Sequence, residues 1–599
     1  MKHFLKMVLA VVVGCFIAGI VLMLFSFSLI GSMAAIGSTT APIPSDCVLN
    51  VDMSQFELGE QTIDDPFSSV QSIMKRQESA PVLGIYDAIL ALEHAATDPA
   101  VKFVYLKTDG ARGGLAEVEE FRKALCTFRE SGKPVFAFVE SPTNGSYYLA
   151  SAADKIYMSN YLGSICGMVG LSSQMFFLKD ALDMLGVNMQ LIRHGKFKSA
   201  GEMYIKNEIS PENRMQSQEM VDAMWAGLAE TMASARGLST EQFNALIDGL
   251  ALNCPEDFLR NGLVDELLTK EELNAKIAGL AGKEEIKDVK AASLLDYAAA
   301  YSKPNIGAKN GKIAVIYADG QIIDGNETKG VAGDRFAGII SKVRKDESVK
   351  AVVLRVSSPG GSVLAAEKIK TELDLLGEEK PLIASYGNYA ASGGYWISTN
   401  CRHIFSNAST LTGSIGVFSM IPDFSKTAKN LLHVGVTTIT SNKHSDLYSS
   451  MKPLDQEETA YMQASVEAIY DRFTTIVSEG RSLSKDYVDS VAQGRVWAGS
   501  TALGISLVDE IGTIEDAIMM AASLAEDSET PDLGKWEIAS YPKPLSMIEQ
   551  LMMQINGTGG EENVLAGTPF GKMGAVLRKI GGESVGKAYA MMPYIYDIK

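Results

Sequence analysis

An internal repeat limits the possible folds of this chain more than any other feature. Val101-Lys-Phe-Val-Tyr-Leu-Lys107 recurs 248 residues later as Val349-Lys-Ala-Val-Val-Leu-Arg355. Asn144-Gly-Ser-Tyr-Tyr-Leu-Ala-Ser151 recurs as Ser392-Gly-Gly-Tyr-Trp-Ile-Ser-Thr399. Self-similarity of this kind predicts two homologous structural units within one chain.

The two copies differ at two positions that carry reactive side chains. In the alignment Ser392 faces Asn144, and Lys198 faces His444. Ser392 and His444 are 52 residues apart, and Asn144 and Lys198 are 54 residues apart. The similar spacing indicates a duplicated ancestor that held both a serine and a lysine. Since each copy keeps one of the two, we expect them to meet across the two units.

Each copy alternates short β-branched runs with longer helical patterns, which is typical of α/β units around a mainly parallel sheet. The predicted N-terminal unit spans 46–280 and supplies the lysine, while the predicted C-terminal unit spans 311–540 and supplies the serine. Charged and small residues at 278–310 suggest a link between the units. Residues 541–599 form a tail of unknown role that has no counterpart in the first copy.

The N-terminus carries a long apolar run. Met7–Met33 contains 27 residues and no charge, whereas about 20 apolar residues suffice for a helix to cross a bilayer. Lys2 and Lys6 precede the run and the next charge is Asp46, so the positive-inside rule leaves the N-terminus in the cytoplasm. We therefore predict a cytoplasmic stub and transmembrane anchor at 1–35. The alternative, a cleaved secretory signal, fits less well because its apolar region is usually about 7–15 residues long.

Composition excludes some classes of partner. The net charge is −18 and the pI is about 5.0, which is the opposite of a nucleic-acid-binding surface, so no nucleic acid is expected as a partner. The six cysteines show no CxxC pair and no metal-ligand spacing. We predict no metal and no other cofactor.

Two glycine-rich motifs follow predicted strands in the second copy. Ser357-Ser-Pro-Gly-Gly-Ser362 places two glycines at a strand-to-helix turn, where backbone N–H groups can converge on a developing oxyanion. In Ala390-Ala-Ser-Gly-Gly-Tyr-Trp396, Ser392 can present its Oγ and the N–H of Gly393 to one carbonyl group. Either motif alone could be a plain tight turn, but together they favour acyl chemistry.

A serine nucleophile needs a base. No histidine follows His444, so the order serine, acid, histidine would require an acid between Ser392 and His433 or His444. A lysine can serve if it is neutral, which requires its pKa to fall by about 2–3 units from about 10.4. Burial of Lys198 near Ser392 would lower the pKa, and the nearby Lys196 and His194 would add like-charge repulsion.

The motifs together resemble the long form of signal peptide peptidase A, a family of membrane-bound serine proteases. The resemblance covers nearly the whole chain, and its most specific segments are SPGGSV, AASGGYW, TLTGSIGVF and GKFKSA. It implies two tandem Clp-protease/crotonase-like units and a Ser–Lys dyad with Ser392 as nucleophile and Lys198 as general base. It further implies that Ser414 orients the lysine and that Gly361 and Gly393 donate to the oxyanion.

The resemblance also implies a biological setting. Its members cleave apolar signal-peptide remnants, and the long form assembles as a homotetramer. We therefore expect a single-pass protein of the bacterial inner membrane with its catalytic units on the periplasmic side. Two other classes stay open on sequence grounds. A crotonase-type acyl-CoA enzyme would share the fold, and a non-catalytic membrane scaffold would explain why each copy has lost one reactive residue.

Overall fold

The computed structural model describes residues 42–63, 80–164, 166–543 and 588–592. The predicted anchor Met7–Met33 and most of the tail lie outside these residues. Within the described ranges, no helix combines the length and the apolar character needed to span a bilayer.

The first half of the chain alternates strands and helices as its hydrophobic pattern predicts. The strands are β1 (Cys47–Asp52), β2 (Glu57–Gly59), β3 (Val82–Gly84), β4 (Val101–Lys107), β5 (Val135–Val139), β6 (Lys155–Ser159), β7 (Asn188–His194), β8 (Glu266–Leu268) and β9 (Ala291–Ser293). The helices are α1 (Ile85–Thr97), α2 (Leu115–Glu130), α3 (Asn144–Ala150), α4 (Lys179–Met184), α5 (Glu202–Ile205), α6 (Pro211–Ala235), α7 (Thr240–Asp248), α8 (Pro255–Arg260), α9 (Lys270–Leu280) and α10 (Leu294–Tyr301). A 3₁₀ turn lies at Ile286–Asp288.

The second half repeats this alternation. Its strands are β10 (Lys312–Asp319), β11 (Ile322–Ile323), β12 (Val331–Ala332), β13 (Val349–Ser358), β14 (Gly360–Ser362), β15 (Leu382–Ala391), β16 (His403–Ser406), β17 (Leu411–Gly413), β18 (Val417–Asp423), β19 (Val496–Ala498), β20 (Glu510–Ile511), β21 (Glu537–Tyr541) and β22 (Ala588–Met591). Its helices are α11 (Gly333–Lys345), α12 (Val363–Glu379), α13 (Gly393–Ser398), α14 (Gln456–Arg481), α15 (Lys485–Val491), α16 (Gly499–Gly504) and α17 (Ile514–Glu526). A π-helical turn lies at Thr427–Leu431 and a 3₁₀ turn at Leu533–Lys535.

Each half builds one main sheet, and the repeated strands hold the same place in both. The first sheet has the order β8-β6-β5-β4-β1-β9, and the second has the order β19-β17-β15-β13-β10-β21. β4 lies between β1 and β5, and β13 lies between β10 and β15, with all four pairings parallel. β13 is buried along almost its whole length, as expected for a parallel strand covered on both faces. The predicted pair of α/β units is confirmed.

Residues 278–310, predicted from sequence to link the units, also add a strand and a helix to the first unit. β9 pairs in parallel with β1, and α10 packs Leu294 and Tyr297 into the first core. The sequence of β9, Ala-Ala-Ser, contains no β-branched or aromatic residue and so gives no strand signal by itself. It forms a strand because the edge of β1 offers it backbone partners.

A third sheet joins parts of the chain that lie far apart in sequence. Its order is β12-β11-β14-β22-β18-β7. β7 comes from the first half, yet it pairs antiparallel with β18 along its whole length, from Asn188 opposite Asp423 to His194 opposite Val417. This pairing carries the residues after β7, including Lys198, into the second unit.

The units also share a core and a buried ion network. Ile514 and Ile518 of α17 belong to the same apolar cluster as residues of α1 and α2. Arg355 at the end of the repeated motif is fully buried, and its Nε donates to Glu60 Oε2 at 2.6 Å. Its Nη1 donates to Glu120 Oε1 at 2.8 Å. Both carboxylates belong to the first unit, so the network fixes one unit against the other.

Candidate active site

Ser392 occupies the junction between β15 and α13. Its backbone has φ 56° and ψ −111°, a conformation that a non-glycine residue rarely adopts and that costs on the order of 1–3 kcal/mol. Two backbone hydrogen bonds hold it there: Ser392 N–H donates to the Gly413 carbonyl at 2.8 Å, and Trp396 N–H donates to the Ser392 carbonyl at 2.8 Å. Such a sharp strand-to-helix turn is one way to hold a reactive hydroxyl in a fixed direction.

Lys198 reaches Ser392 from the first unit. The loop after β7 is tied to the second unit by the Phe197 N–H, which donates to the Gln493 carbonyl at 2.9 Å. Arg193 Nη1 donates to the Lys198 carbonyl at 2.6 Å and holds the loop from within. Gly494 allows the close approach, because a Cβ at this position would lie 2.5 Å from Lys198 Cβ.

The Lys198 amine makes three polar contacts. Its Nζ lies 2.9 Å from Ser392 Oγ, 3.0 Å from Ser414 Oγ and 3.0 Å from the Ser414 carbonyl oxygen. A neutral amine has two N–H groups and one lone pair. It can donate to the two Ser414 oxygens and accept the proton of the Ser392 hydroxyl, so the three contacts match its hydrogen-bonding capacity.

Burial sets the charge state of Lys198. The side chain is fully buried, and this desolvation lowers the pKa of Lys198 well below its ordinary value. The predicted like-charge repulsion from His194 and Lys196 is wrong. His194 stacks on Tyr470 with ring centroids 3.9 Å apart, and Lys196 Nζ lies over the Phe197 ring. Loss of water alone therefore favours the free amine.

Ser414 is also fixed through its backbone. It has a positive φ of 49°, and its N–H donates to the Arg495 carbonyl at 2.7 Å. Arg495 lies two residues after Gln493, whose carbonyl accepts from the Phe197 N–H. The segment Gln493–Arg495 therefore fixes both the loop that bears Lys198 and Ser414, which contacts the Lys198 amine. The structure places Ser414 where the sequence predicts it, beside the lysine.

The two glycine motifs lie next to each other. A Cβ on Gly360 would lie 2.6 Å from the nitrogen of Gly393, and a Cβ on Gly393 would lie 3.1 Å from the nitrogen of Gly361. Gly360 has φ 94° and Gly361 has φ 159°, so the turn uses backbone conformations that favour glycine. The predicted donors Gly361 and Gly393 are thus close neighbours, directly beside Ser392.

Comparison with known proteins matches this architecture. The model of peptidase family S49 matches residues 127–284 and again residues 374–527. The chain belongs to peptidase family S49. The two matches fall in the two copies of the repeat, which confirms the resemblance to the duplicated form.

Individual relatives agree with the family match. Protease 4 of Haemophilus influenzae is 36% identical over 465 residues, which cover 75% of this chain and 74% of that protein. Protease 4 of Salmonella typhi is 36% identical over 488 residues, covering 79% and 76%. The chloroplastic serine protease SPPA of Arabidopsis thaliana is 30% identical over 446 residues, covering 72% and 64%. The S49 chain is a serine protease, which sets aside the acyl-CoA enzyme and the inactive scaffold.

The residues that replace the serine and the lysine in the opposite copies, Asn144 and His444, make structural contacts. Asn144, which takes the place of the serine in the first unit, starts α3 and donates its Nδ2 to the Gly170 carbonyl at 2.9 Å. His444, which takes the place of the lysine in the second unit, contacts Glu457 and Glu458. Neither Asn144 nor His444 contributes to the candidate site formed by Ser392 and Lys198.

His444 also belongs to a group of three possible metal ligands with Asp455 and Glu458, whose ligand atoms lie within 4.8 Å of one another. The Lys452 ammonium already forms an ion pair with this group, since its Nζ lies 2.7 Å from Glu458 Oε1. Asp455 caps α14 by accepting from the N–H of Glu458. The arrangement is that of an ion-pair network at a helix start.

Sequence reasoning missed the segment that receives the lysine loop. Gln493, Gly494 and Arg495 provide the backbone contacts described above, and the Arg495 guanidinium lies 4.8 Å from the Phe197 ring centroid. Gly494 has a φ of 80°. A glycine between a helical pattern and the short apolar run Val496-Trp497-Ala498 was the available signal, but it gives no indication of which distant loop approaches it.

Proposed function

We propose that this S49 protein is a membrane-anchored endopeptidase in which Ser392 is the nucleophile and Lys198 is the general base. The observation that carries the proposal is the 2.9 Å contact between Lys198 Nζ and Ser392 Oγ in a fully buried setting. A buried neutral amine can accept the hydroxyl proton as Oγ attacks a peptide carbonyl. Lys198 then returns the proton to the leaving amine, and water repeats the sequence on the acyl-serine.

The oxyanion of this reaction would lie between the two glycine motifs. The N–H groups of Gly361 and Gly393 are rigid parts of the backbone, so they need no reorganisation when negative charge develops on the carbonyl oxygen. Ser414 is a positioning residue, since its two oxygens direct the Lys198 lone pair toward Ser392. This division of roles follows from the 3.0 Å contacts of Nζ with both Ser414 oxygens.

Apolar peptides are the proposed substrates, and cleaved signal peptides are the proposed natural source. The resemblance to signal peptide peptidase A supports this choice. The side chains next to the site support it as well, since Met220, Met224 and Leu411 form an apolar cluster with Ala391, the neighbour of Ser392. Such a surface favours apolar side chains by removing them from water.

The proposed location is the bacterial inner membrane with the catalytic units on the periplasmic side. The uncharged run Met7–Met33 and the flanking Lys2 and Lys6 support this orientation. Protease added to intact spheroplasts should then degrade residues after Asp46, whereas protection of these residues would contradict the orientation.

We also propose assembly into a homotetramer. In the first copy the chain after Asn144 crosses to the second unit as β7. The corresponding segment of the second copy, 431–443, is exposed along its whole length in the described chain. It presents Leu432, Val434 and Ile439 to solvent, and exposed apolar clusters of this kind mark interaction surfaces. A head-to-tail contact of this segment with the first unit of another copy would close into a ring.

The test of the catalytic proposal compares the wild type with Ser392→Ala and Lys198→Ala on a panel of apolar peptides. Both variants should lose at least about a thousandfold in kcat/KM, because the residues act in one chemical step. Lys196→Ala is the matched control, since this neighbouring lysine does not contact Ser392, and it should keep wild-type activity. A Lys198→Ala protein that cleaves the panel at the wild-type rate would overturn the assignment.

A further inference from the structure

A cavity of about 560 Å³ lies between the two units, close to the candidate active site. Its wall includes Glu60 and Glu117 of the first unit and Pro359 and Tyr389 of the second. Pro359 directly precedes the glycine turn, and Tyr389 precedes Ser392 by three residues on β15. At about 3.3 Å per residue of strand, Tyr389 is at most about 10 Å from Ser392. A peptide bound at Ser392 can therefore place a side chain in this cavity.

The charges in the wall all have one sign. Four acidic residues of the described chain line the cavity: Glu57, Glu60, Glu117 and Asp319. Glu60 and Glu117 are only 5% and 3% exposed, whereas Glu57 and Asp319 are exposed. No lysine, arginine or histidine of the described chain contributes to the wall. A concave wall of this composition attracts a positive charge and repels a negative one.

Glu60 carries an unused hydrogen-bond acceptor in this wall. Its Oε2 accepts from Arg355 Nε at 2.6 Å, but its buried Oε1 has no hydrogen-bond partner among the described residues. The Arg355 guanidinium is fully buried and does not line the cavity. A buried acceptor without a donor is costly, so a donor that enters the cavity would recover part of that cost.

Glu117 shows how strongly the acidic groups oppose one another. Burial and the charge of Glu60 raise the pKa of Glu117 to about 8, although Arg355 acts in the opposite direction. Asn388 Nδ2 donates to both Glu117 oxygens, at 2.7 and 2.6 Å, and fixes the carboxyl group at the wall. A cation in the cavity would stabilise the ionised form of Glu117, because an opposite charge nearby favours the charged state.

The cavity suits a long organic cation better than a metal ion. No three of its four carboxyl groups bring oxygen atoms within 4.8 Å of one another in the described chain. A compact set of oxygen ligands, as a calcium or magnesium ion requires, is therefore missing. A lysine or arginine side chain instead carries its charge at the end of a flexible apolar stem. That stem can extend from a peptide backbone at the site to the acidic wall.

We propose that this cavity is a specificity subsite for one lysine or arginine side chain of an otherwise apolar peptide, a proposal that rests on the proposed function. Glu60 Oε1 accepts from the bound cation, and Glu117 and Asp319 neutralise its charge. The basic residue lies within about four positions of the cleaved bond, since 10 Å is about three residues of extended chain and the side chain adds to this reach. Signal peptides join a basic segment to an apolar one, so they contain this combination.

The test measures the cleavage of apolar peptides by the full-length protein in detergent. One residue at a time, at each of about four positions on either side of the cleaved bond, is lysine or its uncharged analogue norleucine. At one position lysine should exceed norleucine by about 10- to 100-fold in kcat/KM, the range expected for hydrogen bonds to a charged group. Glu117→Gln and Asp319→Asn should each lower this ratio several-fold.

Glu119→Gln is the matched control. Glu119 lies on the same helix as Glu117, but its carboxyl group accepts from the Ser409 N–H and does not line the cavity. This variant should keep the wild-type ratio of lysine to norleucine. Asp319 is exposed, so Asp319→Asn keeps the test decisive even if Glu117→Gln does not fold.

Three outcomes would overturn the proposal, and they differ in what else they overturn. A wild-type protein that cleaves apolar peptides without preferring lysine at any position would refute the subsite and leave the proposed function intact. A lysine preference that Asp319→Asn and Glu117→Gln leave unchanged would refute the assignment to this cavity. A wild-type protein that cleaves none of the peptides would refute the proposed function and the subsite together.

Discussion

Arg355 of the second unit and Glu60 of the first form a fully buried ion pair, with Nε and Oε2 2.6 Å apart. Glu120 provides the second carboxylate of the network. Arg355 belongs to β13, the strand that leads to the glycine turn, so the pair links the contact between units to the geometry of the site.

Arg355→Met should destabilise the protein by about 3–5 kcal/mol, because it leaves the buried Glu60 and Glu120 carboxylates without a cation. Arg344→Met is the matched control. Arg344 pairs with Glu379, whose side chain is about half exposed, and such pairs contribute about 0–1 kcal/mol. Thermal unfolding of both variants measures the difference, and similar melting temperatures would contradict the role of the network.

Ser414→Ala should lower kcat/KM by about 10- to 100-fold, since a buried hydrogen-bonding group left without its partner costs about 1–3 kcal/mol. The loss should appear in kcat, with KM unchanged, because Ser414 contacts the lysine rather than the substrate. Ser414→Thr keeps the hydroxyl and should restore part of the rate. A rise in KM with constant kcat would instead indicate a contact with substrate.

The pH dependence of kcat/KM should show an acid limb set by Lys198. In the proposed mechanism the free amine is the active form, so the rate should rise as the proton leaves and become constant above the pKa of Lys198. Burial lowers that pKa well below its ordinary value, which places the midpoint of the limb far below about 10.4, the value of a free lysine. A profile that still climbs steeply near pH 10 would contradict a neutral lysine in the folded protein.

Lys198→Met should raise the melting temperature at pH 7. The wild-type lysine has a lower pKa when folded than when unfolded, so the unfolded chain binds more protons and stability increases with pH up to about 10.4. The free-energy cost of burying this amine is therefore present at neutral pH. It disappears as the pH approaches the pKa of a free lysine. The gain in melting temperature from Lys198→Met should shrink in the same direction, and a constant gain would exclude this origin.

Gly494→Ala should abolish most activity while the protein stays folded. The new Cβ would lie 2.5 Å from Lys198 Cβ and would push the amine away from Ser392. Gly237→Ala is the matched control, because Gly237 also has a positive φ of 68° but has open space around its Cβ position. Peptide cleavage and circular dichroism on both variants separate displacement of the lysine from backbone strain, and equal activities would exclude displacement.

The sequence predicted the parts of the site that a repeat can reveal. Alignment of the two copies singled out Ser392 and Lys198, and alternation of strands and helices predicted the two α/β units. Apart from the meeting of Ser392 and Lys198, contacts between distant segments were not predictable. Nothing in the local pattern of Gly494 indicates that a loop almost 300 residues earlier packs on it.

The sequence pattern also failed to predict two short strands, β9 and β22. Ala-Ala-Ser in β9 and Ala-Tyr-Ala-Met in β22 are too short to show a period of two. Their positions depend on the unpaired backbone groups of neighbouring strands, which exist only after the main sheets have formed. This is why residues 278–310 and 588–592 were described from sequence as a link and part of a tail.

The path of β7 has a consequence for biosynthesis. The ribosome makes Lys198 long before Ser392, and the segment that receives the lysine loop, Gln493–Arg495, comes later still. A nascent chain therefore cannot bring the proposed nucleophile and base together until about five-sixths of the polypeptide has been translated. With the roles proposed for Ser392 and Lys198, the order of synthesis itself prevents proteolysis while the chain is still being made, with no need for a separate inhibitor at that stage.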